Sequence, residues 1–198
     1  MQRHLLIVGA AVAALSVTAC NKKPDETKGA ATPAEQAATP AANPAATIPT
    51  PANEAAAPDF VNKAAASDMF EIAAAKVALQ RSTNAQVKKF AQMMVDDHTK
   101  SSADLKKAIS ESGQSLTPPA ALPQDLQGKV DDLSKADAKD FDKNYMDNQV
   151  DAHQNTLNVL QRYAQDGDVP ALKTFAANTA PKVQEHYDKA KTLRDALK

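Results

Sequence analysis

Residues 113–136 read "GQSLTPPAALPQDLQGKVDDLSKA", and the fold turns on how this stretch is read. Gly113 is a natural helix stop, and Pro118, Pro119 and Pro123 interrupt any helix that would follow it. "LQGKVDDL" (126–133) predicts one short helix within the connection. Antiparallel neighbours need only about two to eight residues between them, so a connection this long predicts a crossover that returns along the molecule. A plain up-down-up-down bundle with a loose middle loop is the alternative.

Outward from this stretch, the hydrophobic periodicity predicts four long helices. Helix A runs from about Asp59, an N-cap after Pro58, to about Arg81. It carries two stripes of apolar or small residues, Phe60, Ala64, Ser67, Glu71, Ala74, Ala78 and Val61, Ala65, Ile72, Ala75, Leu79. "STN" (82–84) supplies a turn and a capping residue. Helix B carries Val87, Phe90, Ala91, Met94, His98, Leu105 and Ile109 on one face. Helix C, about Asp137–Gln165, buries Phe141, Met146, Val150, His153, Leu157 and Leu160. "DGD" (166–168) then makes a turn in which Asp168 caps helix D and Pro170 enters its first turn. Pro181 predicts a kink or break one turn before His186. Two short hairpins joined by one long crossover make an all-α, ferritin-like four-helix bundle.

Each predicted helix places one chemically distinctive residue on its apolar face: Glu71, His98, His153 and His186. In the crossover topology the A/B turn, the start of C and the end of D share one end of the bundle. Counted from there, the four residues fall within about four positions of one another, roughly 6 Å at 1.5 Å per residue. They should converge. One carboxylate and three neutral imidazoles suit a single transition metal: Zn, Fe, Mn or Cu. Asp97, Asp151 and Glu185, each one or two positions from a histidine, are candidates to orient the imidazoles from behind, and solvated faces are the bland reading of the same residues. A metal-free buried cluster of Glu71 and the histidines remains the alternative for the set. Met94, one turn before His98, reads as core filler.

The N-terminus, "MQRHLLIVGAAVAALSVTAC", has one arginine, Arg3, and an apolar run from Leu5 to Leu15 too short to span a bilayer as a mature helix. It reads as a signal peptide. Val17, Thr18 and Ala19 before Cys20 match a lipobox, in which the cysteine is lipidated and becomes the mature N-terminus. Cys20 is the single cysteine of the 198-residue chain, and an exported protein has little use for a free thiol, so lipidation accounts for it. An ordinary secretory signal is the alternative. Asn21 leans the address toward the outer membrane. Residues 21–58 hold seven prolines and almost no large apolar side chain, which predicts a disordered tether reaching from roughly 35 Å as a coil to about 120 Å extended. Residues 59–198 are the bundle domain.

The formal net charge is −1 and no basic patch with interleaved aromatics occurs, so nucleic acid is not expected as a partner. No Gly-x-Ser-x-Gly turn, cysteine nucleophile or Gly-rich phosphate loop occurs, and no catalytic residue is singled out; a binding protein is expected over an enzyme. Its partners would be the membrane, through lipid on Cys20, and an envelope protein or cell-wall polymer.

The stretches "FEIAAAKVALQRSTNAQVKKFAQMMVDDHTKSSADLKKA", "YMDNQVDAHQNTL" and "FAANTAPKVQEHYDKAKTL" resemble a ferritin-like family of unknown function whose bacterial members are often labelled predicted outer membrane proteins. The resemblance rests on Glu71, Asp97–His98, His153 and His186, and implies the bundle fold and an envelope address. True di-iron sites use Glu-x-x-His on two helices, whereas Val95, Val150 and Val183 precede these histidines by three. Ferroxidase activity and iron storage are therefore not expected, and one metal at most is.

Overall fold

The computed structural model describes residues 55–197. The expected leader, Cys20 and the tether through residue 54 lie outside the described residues. Five helices follow in order: α1 (Ala57–Arg81), α2 (Ala85–Ser112), α3 (Gln124–Lys135), α4 (Phe141–Asp166) and α5 (Pro170–Ala196). There is no strand among the described residues.

Local chemistry sets most of the boundaries. Asn84 caps α2 by accepting hydrogen bonds from the backbone N–H groups of Gln86 and Val87 at 2.9 and 3.3 Å. Gly113 ends α2 in the left-handed region, at φ 66°, where a side chain would be strained. Two expected caps are replaced. Helix α1 begins after Ala56 with Pro58 in its first turn, so Asp59 is already helical and pairs with Lys63 at 2.8 Å. Helix α5 begins after Val169, and Asp168 accepts a 2.8 Å hydrogen bond from the Tyr163 hydroxyl. Helix α4 starts at Phe141 rather than Asp137. Pro181 does not break α5, which continues to Ala196 with Phe175, Ala176, Val183 and His186 packed inward on both sides of it.

Around the bundle, α1 packs on α2 and α4, and α5 packs on the other sides of the same two helices. Near one end, Phe60 of α1 stacks on Tyr163 of α4 with ring centroids 3.9 Å apart. At the opposite end, Arg81 closes α1 and reaches the last residues before α4. Its guanidinium donates to the carbonyls of Leu133, Ser134 and Ala136 at 2.9, 2.6 and 2.6 Å and lies 5.1 Å from the Phe141 ring centroid. The end of α1 thus meets the start of α4. Because α2 runs away from that end and α4 begins at it, the 113–140 segment must travel the length of the bundle, with α3 lying against α1 and α4. The long connection is a crossover, as its prolines and length predict.

The interior has two apolar clusters with a polar layer between them. One contains Phe60, Leu105, Leu157, Leu160, Tyr163, Leu172 and Phe175; the other contains Phe70, Phe90, Met94, Leu133, Phe141, Tyr145 and Met146. Along all four long helices the change from one cluster to the other occurs at buried polar residues: Asp68 and Glu71, His98, Gln149 and His153, and His186.

Arg81→Ala removes three charge-assisted hydrogen bonds and a cation–π contact. It should destabilise the fold by about 2 kcal/mol and raise amide exchange across residues 124–140. Exchange there equal to the parent protein would show that the crossover is held by other means.

Candidate metal centre

Three helices deliver the imidazoles to one level. One ligand nitrogen from each of His98, His153 and His186 lies within 4.8 Å of the others, and all three residues are buried. Ring centroids are 5.4 to 5.7 Å apart, with planes inclined at 49° to 83° so that the rings converge rather than stack.

Each ring is fixed from behind. His98 Nδ1–H donates to Asp68 Oδ1 at 2.8 Å, and Asp68 is steadied through its other oxygen by the Ser102 hydroxyl at 3.3 Å. His153 Nδ1–H donates to the Gln149 carbonyl, one turn earlier on α4, at 2.7 Å. His186 Nε2–H donates to Asp97 Oδ2 at 2.8 Å. A carbonyl can only accept, so neutral His153 carries its proton on Nδ1 and its lone pair on Nε2; the two carboxyl partners select the matching tautomers in His98 and His186. The remaining nitrogens, His98 Nε2, His153 Nε2 and His186 Nδ1, are buried without a hydrogen-bond partner. A protein-only cluster would pair them, since each unmet buried acceptor costs about 1–3 kcal/mol. Metal–nitrogen bonds near 2.0–2.1 Å put the nitrogens of a tetrahedral site roughly 3.4 Å apart, so a cation would need the rings to close by about 1 Å. The donors fit a metal.

Glu71 is 1% exposed and lies beside this trio, outside the three-nitrogen group. Its Oε2 accepts from Gln149 Nε2 at 2.7 Å, and its Oε1, which has no hydrogen-bond partner, is 3.7 Å from His153 Nδ1. Of the residues expected to orient the imidazoles, Asp97 sits behind one, that of His186 on α5 and not its sequence neighbour His98. Asp151 is exposed, and Glu185 is exposed and bonded to Lys182 at 2.7 Å; both lie on solvated faces. Sequence reasoning missed Asp68 and Gln149. Asp68 fills the gap between Ala65 and Ile72 in the second stripe of α1, and Gln149 lies one turn before His153 between Tyr145 and the histidine. A polar residue in the gap of an apolar stripe was the signal for both. Met94 is fully buried among Phe90, Tyr145 and Met146.

The three imidazoles differ electrostatically. Burial pulls His98 down, but the Asp68 hydrogen bond and the charges of Glu71, Asp68 and Asp97 outweigh it and leave its pKa raised. Burial lowers His153, with Glu71 opposing and His98 reinforcing. Burial also lowers His186, to about 4, against the Asp97 hydrogen bond and with the two other histidines reinforcing. Burial pushes Tyr145 up, helped by Glu71. Two neutral imidazoles, one ready to hold a proton, and three carboxyl groups around them form a site that favours a cation.

The model of the domain of unknown function DUF4142 matches residues 36–193, and the chain belongs to that family. No curated protein and no solved structure matches it.

The His186 shift carries a sign. Its folded pKa lies below the unfolded value of 6.5, so its contribution to stability is complete above pH 6.5 and is lost as pH falls toward about 4. The loss is on the order of 3 kcal/mol, and His98, raised, works in the opposite direction. In thermal melts of chelator-treated protein, Tm should fall across this window, and His186→Gln should flatten the fall. The same slope in both proteins would remove the assignment.

Proposed function

We propose that this member of a family of unknown function is a lipid-anchored envelope protein whose helical bundle binds one transition metal on His98, His153 and His186. The observation that carries the reading is the trio of buried nitrogens, each oriented from behind and none partnered. Glu71 supplies negative charge beside the trio, with its Oε1 3.7 Å from His153 Nδ1. Three imidazole nitrogens with one nearby oxygen suit Zn, Cu or Fe better than Mn, which prefers oxygen. The bound metal would supply Lewis acidity, and this chain's residues hold the imidazole tautomers and exclude water. The crossover supports a ferritin-like reading of the bundle, and Val95, Val150 and Val183 in place of bridging carboxylates support one metal, not two.

The address rests on Arg3, the apolar run from Leu5 to Leu15, and Ala19–Cys20–Asn21. Anchoring through lipid on Cys20, in the outer membrane facing the periplasm, follows from these residues. No described helix is long and apolar enough to cross a membrane. The second reading, an interaction lipoprotein with a metal-free cluster, is favoured by one observation: Asp68, 2.8 Å from His98 Nδ1, raises the pKa of that ring and so favours a cation held by the cluster's own side chains.

Native protein should contain about one equivalent of metal by elemental analysis, and the His98→Ala, His153→Ala, His186→Ala triple variant almost none. Equal, negligible metal in both gives the second reading its place. Separately, Cys20→Ala should move the protein from the membrane pellet to the soluble fraction, and mass spectrometry should find a diacylglyceryl group on Cys20; an unmodified cysteine there ends the anchor.

A further inference from the structure

We infer that the α2–α5 seam is the route by which a cation reaches the imidazoles and that Asp97 is its positioning residue, the one group that both meets solvent and holds a ring of the site. The inference rests on the metal-binding reading above. Two of the other seams are bridged by hydrogen bonds near the level of the site, and the clefts on the α1–α4 and α4–α5 seams are lined by no residue that holds a ring. Between α1 and α4, Glu71 is tied to Gln149, and Ser67 is hydrogen-bonded to Thr156 at 2.7 Å. Between α1 and α2, Asp68 is buried and held by His98 and Ser102. Phe90 packs edge-to-face with His153, with ring centroids 6.3 Å apart.

Asp97 is different. Its side chain is 34% exposed, against 6% for Asp68. It lines two surface clefts of about 570 and 550 Å³ that lie along the seam, one on each side of it, and none of the six residues of the polar layer lines a described cleft. Its Oδ2 reaches inward to His186 Nε2, whose opposite nitrogen faces the trio. Five lysines line the two clefts: Lys100 pairs with Asp104, Lys107 with Glu111 and Lys182 with Glu185, Lys189 meets Met93 Sδ at 3.5 Å, and Lys89 is the fifth. None of the five is bonded to the Asp97 carboxylate. Helix α5 is also softened just before His186, because Pro181 has no N–H to offer the Ala177 carbonyl. His186 is accordingly the ring best placed to move, and of the carboxylates in these clefts, Asp96, Asp97, Asp104 and Glu111, Asp97 is the one bonded to a ring of the site.

A residue that only orients His186 would change how long a cation stays; a residue that also guards the route would change how fast it arrives. The two are separated by measuring Zn²⁺ association and dissociation by stopped-flow, with a chromophoric chelator as reporter, on the metal-stripped folded protein. Asp97→Asn should slow association about tenfold, at the low end of electrostatic steering. Asp97→Glu should restore most of it. Asp68→Asn, which loosens His98 from a buried position, should speed dissociation and leave association unchanged. Parent-like association in Asp97→Asn, with the whole effect in dissociation, would overturn the route while leaving the site intact. Failure of the parent protein to bind Zn²⁺, Cu²⁺ or Fe²⁺ would overturn the metal reading itself and the route with it.

Discussion

A plane of buried polar side chains divides the core of this bundle, and the rest of the structure answers to it. Asp68, Glu71, His98, Gln149, His153 and His186 sit at 4% exposure or less, with apolar clusters above and below. Burying such groups is unfavourable unless they meet partners, so the helices are committed to the one arrangement in which all six lie level. The crossover makes that arrangement accessible: it starts α4 beside the end of α1, where Arg81 binds the carbonyls that precede it. A topology that began α4 at the other end would leave His153, at the middle of α4, near its present level but would carry His186, which lies nearer the end of α5 than its start, away from it.

Much of this was legible in the chain. Length and prolines between Gly113 and Ala136 predict the crossover, and matched spacing along four periodic helices predicts that three histidines and one acid meet. The histidines do so. What was not legible follows from the angle between neighbouring helical positions. Adjacent residues point about 100° apart, so the neighbour of a histidine seldom faces the same ring. Asp97, next to His98, orients a ring on another helix; Asp151, two residues from His153, and Glu185, next to His186, face solvent. The partners that do stand behind His98 and His153 come from another helix and from a backbone carbonyl, and a carbonyl leaves no trace in side-chain patterning. Helix starts moved for a related reason: Pro58 and Pro170 fix the first turns, and the aspartates expected to cap are used by Lys63 and Tyr163.

The three orienting contacts are alike in form and unlike in setting. Asp68 is shut away beneath Ser102, the Gln149 carbonyl belongs to the α4 backbone, and Asp97 stands at the surface. Two of the rings are therefore held by the interior and one by the rim. That asymmetry lies within a single layer: His98 and His153 are held from inside the bundle, and His186, on a helix with Pro181 in its path, is held from its rim.

The polar plane has a further consequence for assembly of the chain. Helix α1 buries mostly alanine, at positions 57, 64, 65, 66, 74, 75 and 78, and small uniform knobs offer little resistance to sliding by a turn against a neighbour. A slip of that size would strand Asp68 and Glu71 against leucine and phenylalanine instead of imidazole and amide. The histidine layer thus acts as a detent, penalising every misaligned stacking of otherwise interchangeable helical turns and leaving one register as the low-energy state.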